Sequence, residues 1–346
     1  MERLAQASER RGIYVILVVG GAGYIGSHTA KQLLKAGHEM VVFDNLSRGH
    51  REMVLGGRFV EGNVLDRGAL QATFEQHPID AVMHFAALTA VGESVSDPQS
   101  YYRNNVTGTL NLLDAMREHD VDRLVFSSSA AVYGNPDRIP ISEEHAKQPV
   151  NPYGRTKWMM EQILADYAQA YGLRSISLRY FNAAGSDPEG DIGEWHDPET
   201  HLIPIVLEAA LGDRPRIEIF GTDYDTPDGT CIRDYIHVVD LAEAHLLALE
   251  YLAAGGDGGA LNLGTGEGHS VREVIDACQK VSGKEIPVLE GPRRPGDPPA
   301  LIADPSRARE ELRWEAKHPR LEEIVRTAWA WMTRNSLRMP RPEGRG

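Results

Sequence analysis

Short, nearly all-apolar runs alternate along this chain with longer segments in which apolar residues recur every three or four positions. The runs Ile13–Val19, Met40–Phe43, Ile79–Phe85 and Leu124–Phe126, with the weaker Arg58–Gly62, read as strands. Between them Ser27–Ala36, Ala69–His77 and Tyr101–His119 read as helices; in the last, Val106, Leu110, Leu113 and Met116 form one stripe. Asn151 can cap a further helix running to about Tyr171, with Pro152 in its first turn. Strands and helices alternating at this spacing predict right-handed βαβ units and a parallel sheet.

Beyond this, Gly185–Glu199 reads as a polar loop, Leu202–Ala210 as a helix and Arg216–Phe220 as a strand. Then follow a helix Val239–Ala253, a glycine break, a strand Leu261–Leu263, a helix Val271–Ser282 and a loop Pro292–Pro299 whose prolines pre-order Arg294. An amphipathic helix Leu321–Met332 closes the chain. The expected architecture is α/β, a doubly wound parallel (Rossmann) sheet over 13–183, with about 230–264 packing back onto it. A smaller C-terminal α/β substrate lobe covers 184–335, and flexible termini are expected at 1–12 and 336–346.

The first strand runs into Gly20-Gly-Ala-Gly-Tyr-Ile-Gly26 and then a helix. Glycines at 20, 23 and 26 suit a tight turn, close approach of backbone N–H groups to a pyrophosphate, and close packing of helix on strand. The helix N-terminus then faces the phosphates with its unpaired N–H groups and positive dipole end. The second strand ends in Asp44, whose carboxylate can accept both hydroxyls of an adenine ribose and would repel a 2′-phosphate, which favours NAD over NADP. Ala86 and Ala87, small residues at the carboxyl end of another strand, let a dinucleotide lie against the backbone.

Tyr153 and Lys157 fall one turn apart on the helix begun by Asn151, so they share a face. An ammonium near a phenol favours the phenolate and is expected to lower the Tyr153 pKa, making Tyr153 a base for a hydroxyl proton. Ser129, at a strand end, can hydrogen-bond the same reacting oxygen. A formal charge of −14 excludes nonspecific binding to nucleic acid or an anionic membrane and requires local arginines for any anionic ligand. No apolar run is long enough to span a bilayer, the charged N-terminal residues lack a signal core, and Cys231 and Cys278 form no disulfide framework. A cytoplasmic protein is expected.

Together, Gly20, Gly23, Gly26, Ser129 and Tyr153-x-x-x-Lys157 resemble the extended short-chain dehydrogenase/reductases. Within them, the chain is similar to the UDP-glucose 4-epimerase family through Gly21–Thr29, Val91–Ser94, Asn104-Asn105, Ser127–Ser129 and Arg179–Asn182. Further matches are Phe220-Gly221, Arg233–Val238, Asn262–Gly266 and Arg293–Asp297. The resemblance implies a tightly held NAD, removal of the sugar 4-hydroxyl proton by Tyr153, hydride loss from C4, and hydride return to the other face of the 4-keto sugar. Lys157 is then implied to bind the nicotinamide ribose and Ser129 the 4-oxygen. The cofactor residues implied are Gly20, Gly23, Tyr24, Ile25, Gly26, Asp44, Asn45, Asn63, Val64, Phe85, Ala86, Ala87, Asn104, Tyr153, Lys157 and Tyr180. For a UDP-sugar they are Ser129, Tyr153, Asn182, His201, Leu202, Phe220, Arg233, Arg294, Asp297 and Leu301, with the two arginines on the diphosphate and Asp297 on the uridine ribose. A homodimer is implied as well.

The chain departs from that pattern at Val19 for threonine, Asn63 for aspartate, Thr89 for lysine and His201 for asparagine, while Leu301 leaves the space beside the sugar 2-substituent intermediate. UDP-N-acetylhexosamines or UDP-xylose/arabinose therefore remain alternative substrates, and a non-catalytic NAD-sensing regulator a further alternative. A dehydratase would want an acid pair where Ser129-Ala130-Ala131 stands. The cluster Glu194–His201 reads as a solvated loop with no metal expected, and His84 and His237 read as structural histidines.

Overall fold

The computed structural model describes residues 12–294 and 297–335. The segments expected as flexible termini, save Gly12, and Pro295 of the expected pre-ordering loop lie outside the described residues. Strands β1 (Val15–Val19), β2 (Glu39–Asp44), β3 (Arg58–Glu61), β4 (Ala81–His84), β5 (Arg123–Ser129) and β6 (Arg174–Tyr180) come first, with the short β7 (Asn182–Ala184) after them. They are followed by β8 (Ile217–Phe220), β9 (Ile232–Arg233), β10 (Tyr235–His237), β11 (Gly259–Leu263), β12 (His269–Ser270), β13 (Val288–Gly291) and β14 (Ala300–Leu301). The main sheet has seven parallel strands in the order β11-β6-β5-β4-β1-β2-β3. Strand order reverses between β1 and β4, so the crevice at their carboxyl ends is where this topology places a ligand.

Each sheet face is covered because the apolar runs have two buried sides. Ile16 and Val18 of β1 pack into one core and Leu17 and Val19 into the other. The first core is closed by α1 (Tyr24–Lys35) through Ala30 and Leu33. The second is closed by α2 (Arg67–Gln76) through Leu70 and Phe74. After α3 (Val91–Ser96) and α4 (Pro98–Tyr101), the stretch expected as one helix, Tyr101–His119, is instead a π-helical segment Tyr102–Thr107 followed by α5 (Gly108–Glu118). Extra backbone in a π segment re-aims side chains, here Asn104 and Asn105. Asn105, fully buried, accepts from Leu88 N and donates to Thr156 Oγ1, tying this segment to the next helix.

That helix, α6 (Pro152–Tyr171), starts where the Asn151 side chain accepts from Gly154 N and stops at left-handed Gly172. The C-terminal helices are α7 (Leu202–Leu211), α8 (Val238–Ala253), α9 (Val271–Ser282), α10 (Ser306–Leu312) and α11 (Leu321–Asn335). Helix α8 returns to the main sheet, burying Leu241, Ala244, Ala248, Leu249 and Leu252 in the first core. A third core joins α7, α9 and α11 around Val206, Val274 and Ile324.

The loop expected to be solvated, 185–199, is a packed strap. Ile192 is fully buried with Met53 and Trp331, and Glu194 is only 8% exposed. Lys31, 7% exposed, belongs to the same strap, its Nζ meeting Asp187, Glu189 and Asp191 at 2.7, 2.7 and 2.8 Å. Lys31's ammonium keeps its proton because these carboxylates outweigh the opposing effect of burial.

Glu161 on α6 and Arg179 on β6 form an ion pair with side chains 5% and 4% exposed, at 2.5 Å. Ser128 Oγ donates to Glu161 at 2.5 Å, and Arg179 Nη1 donates to Tyr133 OH at 2.8 Å. Removing one partner strands a buried charge, so Arg179→Met should cost about 3–5 kcal/mol of stability. Glu161→Leu combined with Arg179→Met should recover most of that loss. Equal losses in single and double variants on chemical denaturation would show that the pair does not act as a unit.

Candidate active site

The turn after β1 is built on close contacts. Gly20 has φ of +83°, and a Cβ there would lie 2.4 Å from Ala86 N; one on Gly26 would lie 2.2 Å from Gly20 O. Gly23, the N-cap of α1, has no side chain to satisfy the first N–H groups of the helix, which leaves them to a ligand. Beside the turn is a cleft of about 560 Å³ lined by Gly20, Gly23, Asp44, Asn45, Val64, Phe85, Ala86, Ala87 and Asn104, all expected cofactor residues. Asp44 is 8% exposed, with Oδ2 accepting from Ala22 N and Oδ1 from Leu46 N, both at 2.9 Å. Burial pushes its pKa up despite these bonds, and each oxygen keeps a lone pair for a ribose hydroxyl. Glycine cradle, small alanines and carboxylate thus fit an adenine dinucleotide.

Tyr24, Ile25, Gly26, Asn63, Tyr153, Lys157 and Tyr180 do not line that cleft. The Tyr24 hydroxyl donates to Gly185 O at 2.5 Å, and Asn63 Oδ1 accepts from Leu65 N. Ser47, Arg48, Gly49 and Leu88 line it without having been expected. Arg48 reaches Glu93 at 3.2 Å, so its charge in the cleft is already paired.

The carboxyl end of β5 is the reactive edge. Ser129 faces Tyr180 in register, and Ser127 Oγ bonds the Tyr180 hydroxyl at 2.6 Å. The Ser129 hydroxyl hydrogen-bonds the Tyr153 phenol, and Lys157 Nζ donates to Ser127 O at 2.7 Å. Tyr153 is 7% and Lys157 2% exposed. The expected lowering of the Tyr153 pKa is reversed. Burial raises it, the Ser129 bond only partly offsets that, and Lys157 is directed to the Ser127 carbonyl. Burial likewise lowers Lys157 to about 7, against the opposing charge of Glu161.

On the substrate side, Leu301 pairs in register with Arg233, whose Nη1 donates to Ile232 O and Pro298 O at 2.8 and 3.0 Å. Arg233 Nη2 lies 3.6 Å from Asp297, and the Arg294 guanidinium sits 3.8 Å over the Phe220 ring. Asn182 Nδ2 donates to Asp234 O at 3.0 Å. Buried Asp234 takes N–H groups of Thr265, Gly266 and Ala303, fixing the floor below these groups. His201 caps α7, just before Leu202, and its Nδ1 is engaged by Glu194 and Glu199 at 2.8 and 3.1 Å. His237 behaves as a structural histidine. Its Nδ1 accepts from Val239 N, its Nε2 meets Thr327 Oγ1, and burial lowers its pKa to about 3. His84 is likewise buried, meets Thr109 Oγ1 through Nε2, and is lowered to about 3.

The profile of the NAD dependent epimerase/dehydratase family matches residues 16–264. The chain belongs to this family. Among its relatives is a UDP-glucose 4-epimerase of Rhizobium meliloti (strain 1021), 53% identical over 321 residues, covering 93% of this chain and 98% of the relative. The crystal structure of UDP-glucose 4-epimerase from Brucella ovis in complex with NAD superposes with a TM-score of 0.90 at 55% identity, covering 92% of this chain and 98% of that one. The corresponding enzyme of Bifidobacterium longum, in complex with NAD+ and UDP, gives 0.88 at 40% identity, covering 93% and 99%. This epimerase is NAD-dependent.

A lysine whose folded pKa is about 7 against an ordinary 10.5 binds fewer protons folded than unfolded between those values. Its burial penalty is complete below pH 7 and fades as pH rises to 10.5, so this one group adds stability with pH, by up to about 1.4 kcal/mol per unit. Ligand-free Lys157→Met should therefore exceed wild type in Tm at pH 7, with the margin shrinking toward about pH 10. A margin independent of pH would mean that Lys157 titrates normally.

Proposed function

We propose that this protein is a UDP-glucose 4-epimerase, interconverting UDP-galactose and UDP-glucose. The observation that carries this reading is the buried Ser129–Tyr153–Lys157 set at the carboxyl edge of β5, beside a dinucleotide cleft. The chemistry that NAD supplies when bound is acceptance of the C4 hydride and its return to the opposite face. Gly20, Gly23, Asp44, Asn45 and Asn104 would hold it. Tyr153 removes the 4-hydroxyl proton and later gives it back, while Ser129 holds the same oxygen. Lys157, poised near neutrality, stabilises the phenolate when charged. Arg233 and Arg294 neutralise the diphosphate, and Asp297 and Phe220 hold the uridine end.

Leu301 favours a second reading within the class. It packs with Ala130, Val132 and Tyr133 beside the reactive edge and is smaller than an aromatic side chain, so N-acetylhexosamine or pentose UDP-sugars are further substrates to test. A sensor has no use for a desolvated tyrosine and lysine. We take 13–183, with 230–264 returning to it, as the cofactor unit and 184–335 as the substrate unit; the pairing of β11 with β6 supports that return. Buried thiols Cys231 and Cys278 suit a reducing cytosol.

Proton NMR of UDP-galactose incubated with the purified protein should show UDP-glucose without accumulating reduced cofactor. Tyr153→Phe should keep NAD and lose roughly 10²–10⁴-fold in kcat, the usual worth of general base catalysis. No conversion of any UDP-sugar by folded, NAD-supplied protein would reject the reading, and full activity of Tyr153→Phe would reject its base.

We also propose a homodimer through α3 and α6, which pack together and expose Val91, Val95 and Met159. Val95→Glu should shift sedimentation equilibrium toward monomer, and a wild type that is monomeric at micromolar concentration contradicts the proposal.

A further inference from the structure

The strap between β7 and α7 brings together four side chains that the epimerisation chemistry does not use as a set. Their donor atoms all lie within 4.8 Å of one another: Glu194, His196, Glu199 and His201. His201 Nδ1 stands 2.8 Å from Glu194 Oε1 and 3.1 Å from Glu199 Oε1. His196 Nδ1 stands 3.3 Å from Glu194 Oε1 and 3.5 Å from Glu199 Oε2. Bonds of roughly 2.0–2.1 Å to a zinc ion place the corners of a tetrahedron about 3.3 Å apart. The observed edges therefore bracket that spacing.

Two further observations point to a ligand. Glu194 Oε1 and His196 Nδ1 are fully buried and make no well-formed hydrogen bond, although each lies within 3.5 Å of a partner in the cluster, and Glu194 as a residue is 8% exposed. Such orphaned polar atoms are costly unless something satisfies them. Second, among the described residues no lysine or arginine pairs with Glu194 or Glu199. The neighbouring cluster of Asp187, Glu189 and Asp191, by contrast, closes on Lys31. The strap thus holds two acidic clusters, one closed on a lysine and one whose carboxylates meet only histidines among the described residues.

We propose that Glu194, His196, Glu199 and His201 bind one zinc ion. Two carboxylates balance its charge, two neutral imidazoles complete a tetrahedron, and a shell filled by four protein ligands marks the site as structural rather than catalytic. The surroundings fix the ligands. Trp331 Nε1 donates to Glu194 O at 3.1 Å, and the Tyr24 ring meets the His196 ring edge-on at 6.1 Å. The His50 ring stacks on Trp195 at 3.9 Å and contacts its carbonyl at 3.1 Å, while Arg48 donates to Asp197 O. A small cavity borders Glu194, His196 and Glu199. The ion would clamp the start of α7, through His201, to the strap residues Glu194, His196 and Glu199.

The test is metal analysis of the full chain purified from zinc-replete culture without chelators. One zinc per chain is expected, with a fall of several degrees in Tm on dialysis against a strong chelator and recovery on adding zinc. Replacing zinc with Co²⁺ should give the intense visible bands of a tetrahedral site. His196→Gln and Glu194→Gln should each lose stoichiometric zinc. Folded wild type that holds no zinc and gives only weak octahedral cobalt bands overturns the proposal. So does zinc retained undiminished in both variants. If a variant does not fold, the cobalt spectrum of wild type decides alone.

Discussion

The placement of the reactive groups depends on one buried ion pair. Tyr153, Lys157 and Glu161 recur at spacing four on α6, so they form one row. The run Ser127-Ser128-Ser129 of β5 meets that row: Ser127 O takes Lys157, Ser128 Oγ takes Glu161 and Ser129 bonds Tyr153. Arg179 clamps Glu161 from β6 and passes the network to Tyr133 and, through its hydroxyl, to Asn262 on β11. A buried pair is weak as a stabiliser, because desolvation offsets most of its attraction, but it is specific as a locator. Sliding α6 by one residue would strand a carboxylate and a guanidinium at once.

The same desolvation sets the chemistry. Burial disfavours both the phenolate of Tyr153 and the ammonium of Lys157, and so moves their pKa values apart, Tyr153 up and Lys157 down to about 7. Both groups therefore favour their neutral forms near pH 8. The ionised pair is reached only when each charge supports the other or a ligand brings one in. An exposed tyrosine and lysine at the same spacing would stay near 10 and 10.4 and have no such responsiveness.

Pattern reading recovers what apolar residues and glycines dictate. The run Ile16–Val19 has two buried faces and is legible as a central strand. Gly20 and Gly26 are legible because no other residue fits their contacts. The reading fails where polar side chains are buried against distant partners. Strand β6, with Ser175, Ser177 and Arg179 buried, carries too little apolar signal to be called from its own residues. The strap looked solvated because of its acids, yet Lys31 lies 156 positions from the Asp187 it binds, a pairing that local spacing does not reveal. The break of the expected Tyr101 helix into a π segment is likewise set from outside, by Leu88 and Thr156 holding Asn105.

An acidic chain that binds a diphosphate must overcome its own field, and the arginines show how. A net −14 is spread over the surface, where screening limits its reach to about 8–10 Å at physiological salt. Inside the site, local geometry decides. Arg233 is held by two backbone carbonyls, with Asp297 3.6 Å away, and Arg294 by the face of Phe220. Holding guanidiniums by dipoles and a ring quadrupole keeps their charge for the ligand. It also removes roughly 0.5–1.5 kcal/mol of ordering cost per side chain at the moment of binding. Arg48, in contrast, is paired with Glu93 and leaves the adenosine end of the cleft without a free cation from that residue, which is the environment that suits a ribose hydroxyl on Asp44 rather than a phosphate.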